Sequence, residues 1–260
     1  MLIKSQKVNR LFLITLPLIQ LFILASCNDG TAASQSEDKV KTLAMPECRR
    51  AGSDWLFCAD FDGDDDLTQW DTLPEGQSRT LLEVSGPAGN GGNRVLQLRI
   101  PPGMGGRGLN KTFSNGYDKL YARWYVYYEE GFDFTVRNHG HGFHAGDRWK
   151  KGVAGHRPKG DDWFTVQLEH GIVPSTGQPA HYLYAYYRGM SMDCTDPDGS
   201  CWGDMIPCTI DTDYYCKSPV YRPKVQQPPL VTGRWYCLEL MVDAGDAVNA
   251  ADDGTGSLNF

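Results

Sequence analysis

From Trp55 onward, apolar side chains of this 260-residue chain alternate with polar ones at a period of two, and helical periodicity is almost absent. In Trp163–His170, Phe164, Val166 and Leu168 fall on one side and Thr165, Gln167 and Glu169 on the other. In Leu120–Tyr128 the sets are Ala122, Trp124 and Val126 against Arg123, Tyr125 and Tyr127. His181–Met190 assigns Leu183, Ala185 and Tyr187 to a core face and leaves Tyr182, Tyr184, Tyr186 and Arg188 on an exposed one. Further strands are predicted at Leu56–Phe61, Arg79–Val84, Arg94–Ile100 and Trp235–Val242, between clusters of Gly, Pro, Asn and Asp. The turn around Pro174–Pro179 makes a hairpin of the strands that flank it. The pattern predicts an all-β domain with Tyr, Arg, Gln and Glu in register on one sheet face.

Between two of these strands lies Asn138–Trp149, NHGHGFHAGDRW, with three of the chain's six histidines and three glycines. Glycine supplies positive φ or close backbone approach at an entropic cost. The run is therefore predicted to be a loop on the rim of the sheet, where a rigid scaffold usually carries its chemistry. His139, His141 and His144 are candidates for proton transfer or for binding a carboxylate. Zinc is the competing reading, because histidines at i and i+2 share one side of a strand, yet no further ligand has fixed spacing. No cofactor is expected.

The first residues change the picture of the compartment. Lys4, Lys7 and Arg10 precede an apolar run from Leu11 to Ala25, which is short for a membrane span. The run ends in Leu24-Ala25-Ser26-Cys27, which resembles a bacterial lipobox with Cys27 as the lipidated residue. Residues 1–26 are thus expected to be a lipoprotein signal peptide and residues 27–46 a polar tether. Residues 47–260 form the folded domain in this reading. The protein is expected in the cell envelope, anchored by lipid at Cys27 to the periplasmic face or the outer membrane and cell surface.

Charge narrows the partners. The net charge of −7 becomes −10 without residues 1–26, with 22 basic against 32 acidic residues. A chain this acidic is a poor ligand for nucleic acid, and none is expected as a partner. Seven cysteines follow Cys27, and in an exported chain they are read as disulfides. Cys48–Cys58 and Cys58–Cys237 are both sensible pairings, while Cys194, Cys201, Cys208 and Cys216 crowd one Asp-, Gly- and Pro-rich segment. Asp60–Asp66 places acidic residues at alternate positions like a structural calcium loop. It lacks the closing bidentate Glu, and a strand running into an acidic turn accounts for it equally well. Gly254–Phe260 reads as a turn entering a strand, as though the closing strands of the domain were missing.

Leu56–Asp62 (LFCADFD) resembles the opening strand of concanavalin-A-like (laminin-G/jelly-roll) domains. Lys119–Phe134 (KLYARWYVYYEEGFDF) is similar to the strand and turn before the active-site loop of jelly-roll polysaccharide lyases of the alginate/glucuronan lyase type. Phe164–Glu169, His181–Tyr187 and Gly233–Met241 (GRWYCLELM) resemble later strands of the same pattern. The resemblance implies an all-β, concanavalin-A-like jelly-roll β-sandwich of two antiparallel sheets. Departures accompany it. The Lys-Leu-Pro-Gly-Leu run of alginate-lyase-type enzymes is replaced by His139–His144, and Gln167–His170 only loosely echoes the Gln-Ile/Val-His triplet of another branch. The Glu-x-Asp-x-Glu signature of laminarinase-like hydrolases is absent, which argues against two-carboxylate hydrolysis. The adjacent Glu129 and Glu130 cannot flank one glycosidic bond.

The functional expectation is a lyase that cleaves a uronate-containing polysaccharide or oligosaccharide by β-elimination, acting as a monomer. Such chemistry needs a base, an acid for the leaving oxygen and donors for the enolate-like intermediate. His139, His141, His144, Tyr184 and Tyr186 are the catalytic candidates. Arg123, Tyr125, Gln167, Glu169 and Arg188 are the substrate-binding candidates. A non-catalytic carbohydrate-binding lipoprotein uses the same face without a poised base. A third reading, a surface interaction module, uses the Cys194–Cys216 segment with Trp202 and Met205 exposed.

Overall fold

The computed structural model of the chain describes residues 2–5, 47–50, 52–63, 66–73, 79–84, 86, 93–100, 108–136, 139–146, 155–173, 176–190, 202–206, 229–244 and 257–259. Cys27, most of the signal and tether segments, and Cys194, Cys201, Cys208 and Cys216 lie outside them. Eleven strands are described: β1 Leu2–Ser5, β2 Trp55–Cys58, β3 Arg79–Val84, β4 Asn93–Leu98, β5 Lys119–Tyr127, β6 His141–Gly146, β7 Trp163–Val173, β8 Gln178–Tyr186, β9 Asp204–Ile206, β10 Trp235–Asp243 and β11 Ser257–Asn259. Helical structure among the described residues amounts to one 3-10 turn at Glu47–Arg50. The strands form a five-stranded sheet in the order β11-β10-β5-β1-β2, a four-stranded sheet β6-β7-β8-β9 and a two-stranded β3-β4 ribbon. Every described strand pairing is antiparallel. The fold is all-β.

Alternation explains how the two larger sheets share a core. Ala122 and Trp124 of β5, and Leu238, Leu240 and Val242 of β10, join Phe143, Val166, Leu168, Leu183 and Ala185 from β6, β7 and β8 in one buried cluster. Phe57 and Ala59 extend it at the β2 end. A second cluster gathers Tyr128, Phe134 and Leu230, with Phe132, Ile172 and Tyr236 against it. The Val166, Leu168, Leu183 and Trp124 sides therefore point inward as their period of two requires.

The Asn138–Trp149 expectation needs correcting. His141–Gly146 is a strand paired residue for residue with β7, not a loop. Its glycines serve close approach rather than flexibility. A Cβ on Gly142 would lie 2.1 Å from the Val166 carbonyl oxygen, and one on Gly140 would lie 1.8 Å from that of Leu168. Elsewhere boundaries shift by a few residues. β2 stops at Cys58, before Phe61 takes a φ of 64°, a left-handed conformation that non-glycine residues rarely adopt.

Of the two cysteine pairings left open, Cys48–Cys58 forms, with Cα atoms 5.5 Å apart. Cys237 is also disulfide-bonded, so Cys58–Cys237 is excluded. β1 occupies the place between β2 and β5, pairing Leu2 with Cys58 on one side and with Arg123 on the other. Those residues fall within the segment read from sequence as the leader.

Candidate functional site

The β7–β8 hairpin sets the site. Its register places Thr165 opposite Tyr186, Gln167 opposite Tyr184 and Glu169 opposite Tyr182. The β6–β7 register adds His144 opposite Thr165 and Gly142 opposite Gln167. Since Val166, Leu168, Leu183 and Ala185 point into the core, these residues occupy the other face of the four-stranded sheet.

At one end of this face, His139 and Glu169 meet, with Nδ1 2.5 Å from Oε1. Glu169 also accepts the Tyr182 hydroxyl through Oε2, at 2.8 Å. The Glu169 side chain is 5% exposed, whereas the His139 side chain is 65% exposed. The His139 ring stacks on Tyr184, with centroids 6.1 Å apart and planes 16° from parallel. The Tyr184 hydroxyl lies 3.0 Å from that of Tyr186 and accepts the Gly203 N–H at 3.3 Å. Trp163 lies against Tyr186 at 5.8 Å, and His144 Nδ1 meets the Thr165 hydroxyl at 2.6 Å. Two polar groups thus lie side by side, Tyr182–Glu169–His139 and Tyr184–Tyr186, joined by the stacking of the exposed His139 ring on Tyr184.

Other predicted residues fall elsewhere. His141 faces the core, where its ring stacks on Trp124 at 5.5 Å. Burial lowers its pKa to about 4, so the ring is neutral at neutral pH. His139, His141 and His144 therefore do not converge, and a three-histidine zinc site is ruled out. Arg123 and Tyr125 lie on β5 of the other sheet, facing away from the shared core. Arg123 binds Glu239 across β10 through Nε at 2.7 Å and through a second guanidinium nitrogen. The core separates this pair from Gln167 and Glu169, so the single face carrying Tyr, Arg, Gln and Glu splits between two sheets. Alternation gives a side within one strand, and only strand order decides which sides coincide.

Tyr182, Tyr184 and Tyr186 are buried, not exposed. Glu169 is held by His139 and Tyr182 beneath that surface. Arg188 lies in the turn after β8, with its stem over Gly160 and its carbonyl accepting from Arg157. Met205, expected on the surface, is buried. The residues missed by sequence reasoning are Tyr182 and Thr165. Both follow from the Glu169–Tyr182 and Thr165–Tyr186 pairings once the hairpin turn is counted out.

Of the acidic run, Asp64 and Asp65 lie outside the described residues, and Asp62 turns away to Arg94 while Asp60 and Asp66 meet. Asp62 accepts the Arg94 backbone N–H at 2.9 Å, and its carbonyl accepts the Arg94 guanidinium at 3.2 Å. Burial, and then Asp60 nearby, raise the Asp66 carboxyl. Among the described residues no group of three or more His, Cys, Asp or Glu side chains is arranged to hold a metal ion. Comparison with protein-family models, curated proteins and solved structures returned no match.

Proposed function

We propose that the chain is an envelope lipoprotein anchored at Cys27, whose processing removes β1 and leaves a concanavalin-A-like jelly-roll β-sandwich that cleaves a uronate-containing polysaccharide by β-elimination. The observation that carries this reading is the exposed His139 imidazole stacked on Tyr184, whose hydroxyl meets that of Tyr186. In the reaction, the sugar C5 proton passes to His139, and the C–H electron pair becomes the C4–C5 double bond. The C4–O bond breaks, and the leaving oxygen takes the proton of Tyr184. Tyr186 lies within reach to pass its proton to Tyr184, and the cycle closes when Tyr186 regains a proton from solvent and His139 releases the C5 proton to it. Base and acid on one side of the sugar suit a syn elimination. Gln167, opposite Tyr184 in the register and on the same face, is the proposed donor for the enolate-like intermediate.

Ultraviolet absorbance from the new double bond tests the proposal, using alginate, glucuronan and pectate in turn. His139→Ala and Tyr184→Phe should each lower the rate about 10²-fold or more with the fold retained. Absence of a signal on all three polymers would sink the lyase.

A specific observation also favours the carbohydrate-binding reading. Tyr121, Tyr125 and Tyr127 are exposed along the outer side of β5, and Trp235 lies 5.4 Å from Tyr127. Aromatic rows of this kind suit stacking on sugar rings without bond cleavage. Retention on insoluble polysaccharide by a protein that releases no unsaturated product would select this alternative.

A further inference from the structure

We infer that Glu169 and Tyr182 are positioning residues, which hold His139 in the tautomer that carries its proton on Nδ1. The inference rests on the lyase reading for its chemistry, but its geometry is independent of substrate. Glu169 lies on β7 and Tyr182 opposite it on β8, so the sheet register itself brings them together. The Tyr182 hydroxyl donates to Oε2 at 2.8 Å, while His139 Nδ1 lies 2.5 Å from Oε1. A carboxylate offers only acceptors, so the proton of this second contact belongs to Nδ1. Nε2 then carries the lone pair and points away from Glu169, on a ring that is mostly exposed.

This arrangement resolves a difficulty in the site. A buried carboxylate placed to bind an anionic uronate would repel it. Held beneath an imidazole, the same carboxylate instead orients the base and stabilises the imidazolium that forms when Nε2 takes a proton. Tyr182 is fully buried, and its hydroxyl fixes the carboxylate in turn. Glu169, predicted as a substrate contact, acts through His139 rather than on the sugar.

The test is long-range nitrogen–proton correlation on histidine-labelled protein at neutral pH, followed by kinetics. The wild-type protein should show His139 protonated at Nδ1. Glu169→Leu should move the proton to Nε2 or average the two nitrogens, and Glu169→Gln, which keeps an acceptor oxygen, should restore part of the wild-type signature. Tyr182→Phe removes one oxygen from a buried ring. It should blur the tautomer signature and lower kcat about 10-fold with KM little changed, as expected of a group that supports another. A wild-type His139 protonated at Nε2, or a signature that Glu169→Leu and Tyr182→Phe both leave intact, would overturn the inference whatever the activity. An Nδ1-protonated His139 in a protein that cleaves none of the polymers would uphold the positioning and reject the lyase.

Discussion

Tyr128 shows how one side chain ties the second core cluster together. Its hydroxyl lies 2.9 Å from His181 Nε2, in a setting of Phe132, Phe134, His170 and Tyr236 rings. Burial raises the Tyr128 phenol and lowers His181 to about 3, so both remain uncharged at neutral pH. Tyr128→Phe keeps the ring packing and leaves the imidazole nitrogen without its partner. It should cost about 1–3 kcal/mol, read as a lower urea midpoint at unchanged m-value. Tyr128 closes a predicted strand in the sequence, but nothing there pairs it with His181. Contacts 53 residues apart in the chain belong to the tertiary fold.

At the scale of elements, β6 is the informative case. Three glycines among histidines read as a loop, because glycine is depleted from strands. The strand forms because pairing with β7 satisfies its backbone, and because β7 lies too close for a side chain at positions 140 and 142. Gly142→Ala should therefore destabilise by at least about 2 kcal/mol, as overpacking against backbone does. A thermal melt, with amide exchange of β6 and β7, measures it. Faster exchange should be confined to that pair in the folded state, and unchanged protection would remove the close-approach argument. By contrast, β5, β7, β8 and β10 were legible within a few residues, because each is rich in the aromatic and apolar residues that suit a pleated, half-buried surface. Length alone does not fix the ends: the short β3 keeps its predicted bounds Arg79–Val84, while β8 runs Gln178–Tyr186 where the sequence predicts His181–Met190.

For the whole molecule, the inter-sheet histidines set the acid limit. Burial holds His141 at about 4 and His181 at about 3, and lowers His170 as well. Their ordinary value is about 6.5, so below it the unfolded chain takes up protons that the folded chain refuses. The stability they permit is complete above about pH 6.5 and falls as pH drops towards 4 and 3. The urea midpoint should decline through that window, and His181→Gln should flatten the decline. An acid profile identical in His181→Gln and wild type would contradict this account.

The sequence by itself determined the all-β class, the inward sets of β5, β7 and β8, and the presence of tyrosine and histidine beside acidic residues. Those follow from local physics, since a period of two and turn-forming residues act within a few positions. Tertiary structure decided which faces coincide. Strand order put Arg123 and Tyr125 on the far side of the core from Glu169, and the fold set His139 against Glu169 while His141 stacks on Trp124. Register and strand order depend on pairing between distant segments, whose free energy belongs to the packed core as a whole. That is why His139, Glu169 and Tyr184 could be named one by one, but joined to one another and to Tyr182 only in the fold.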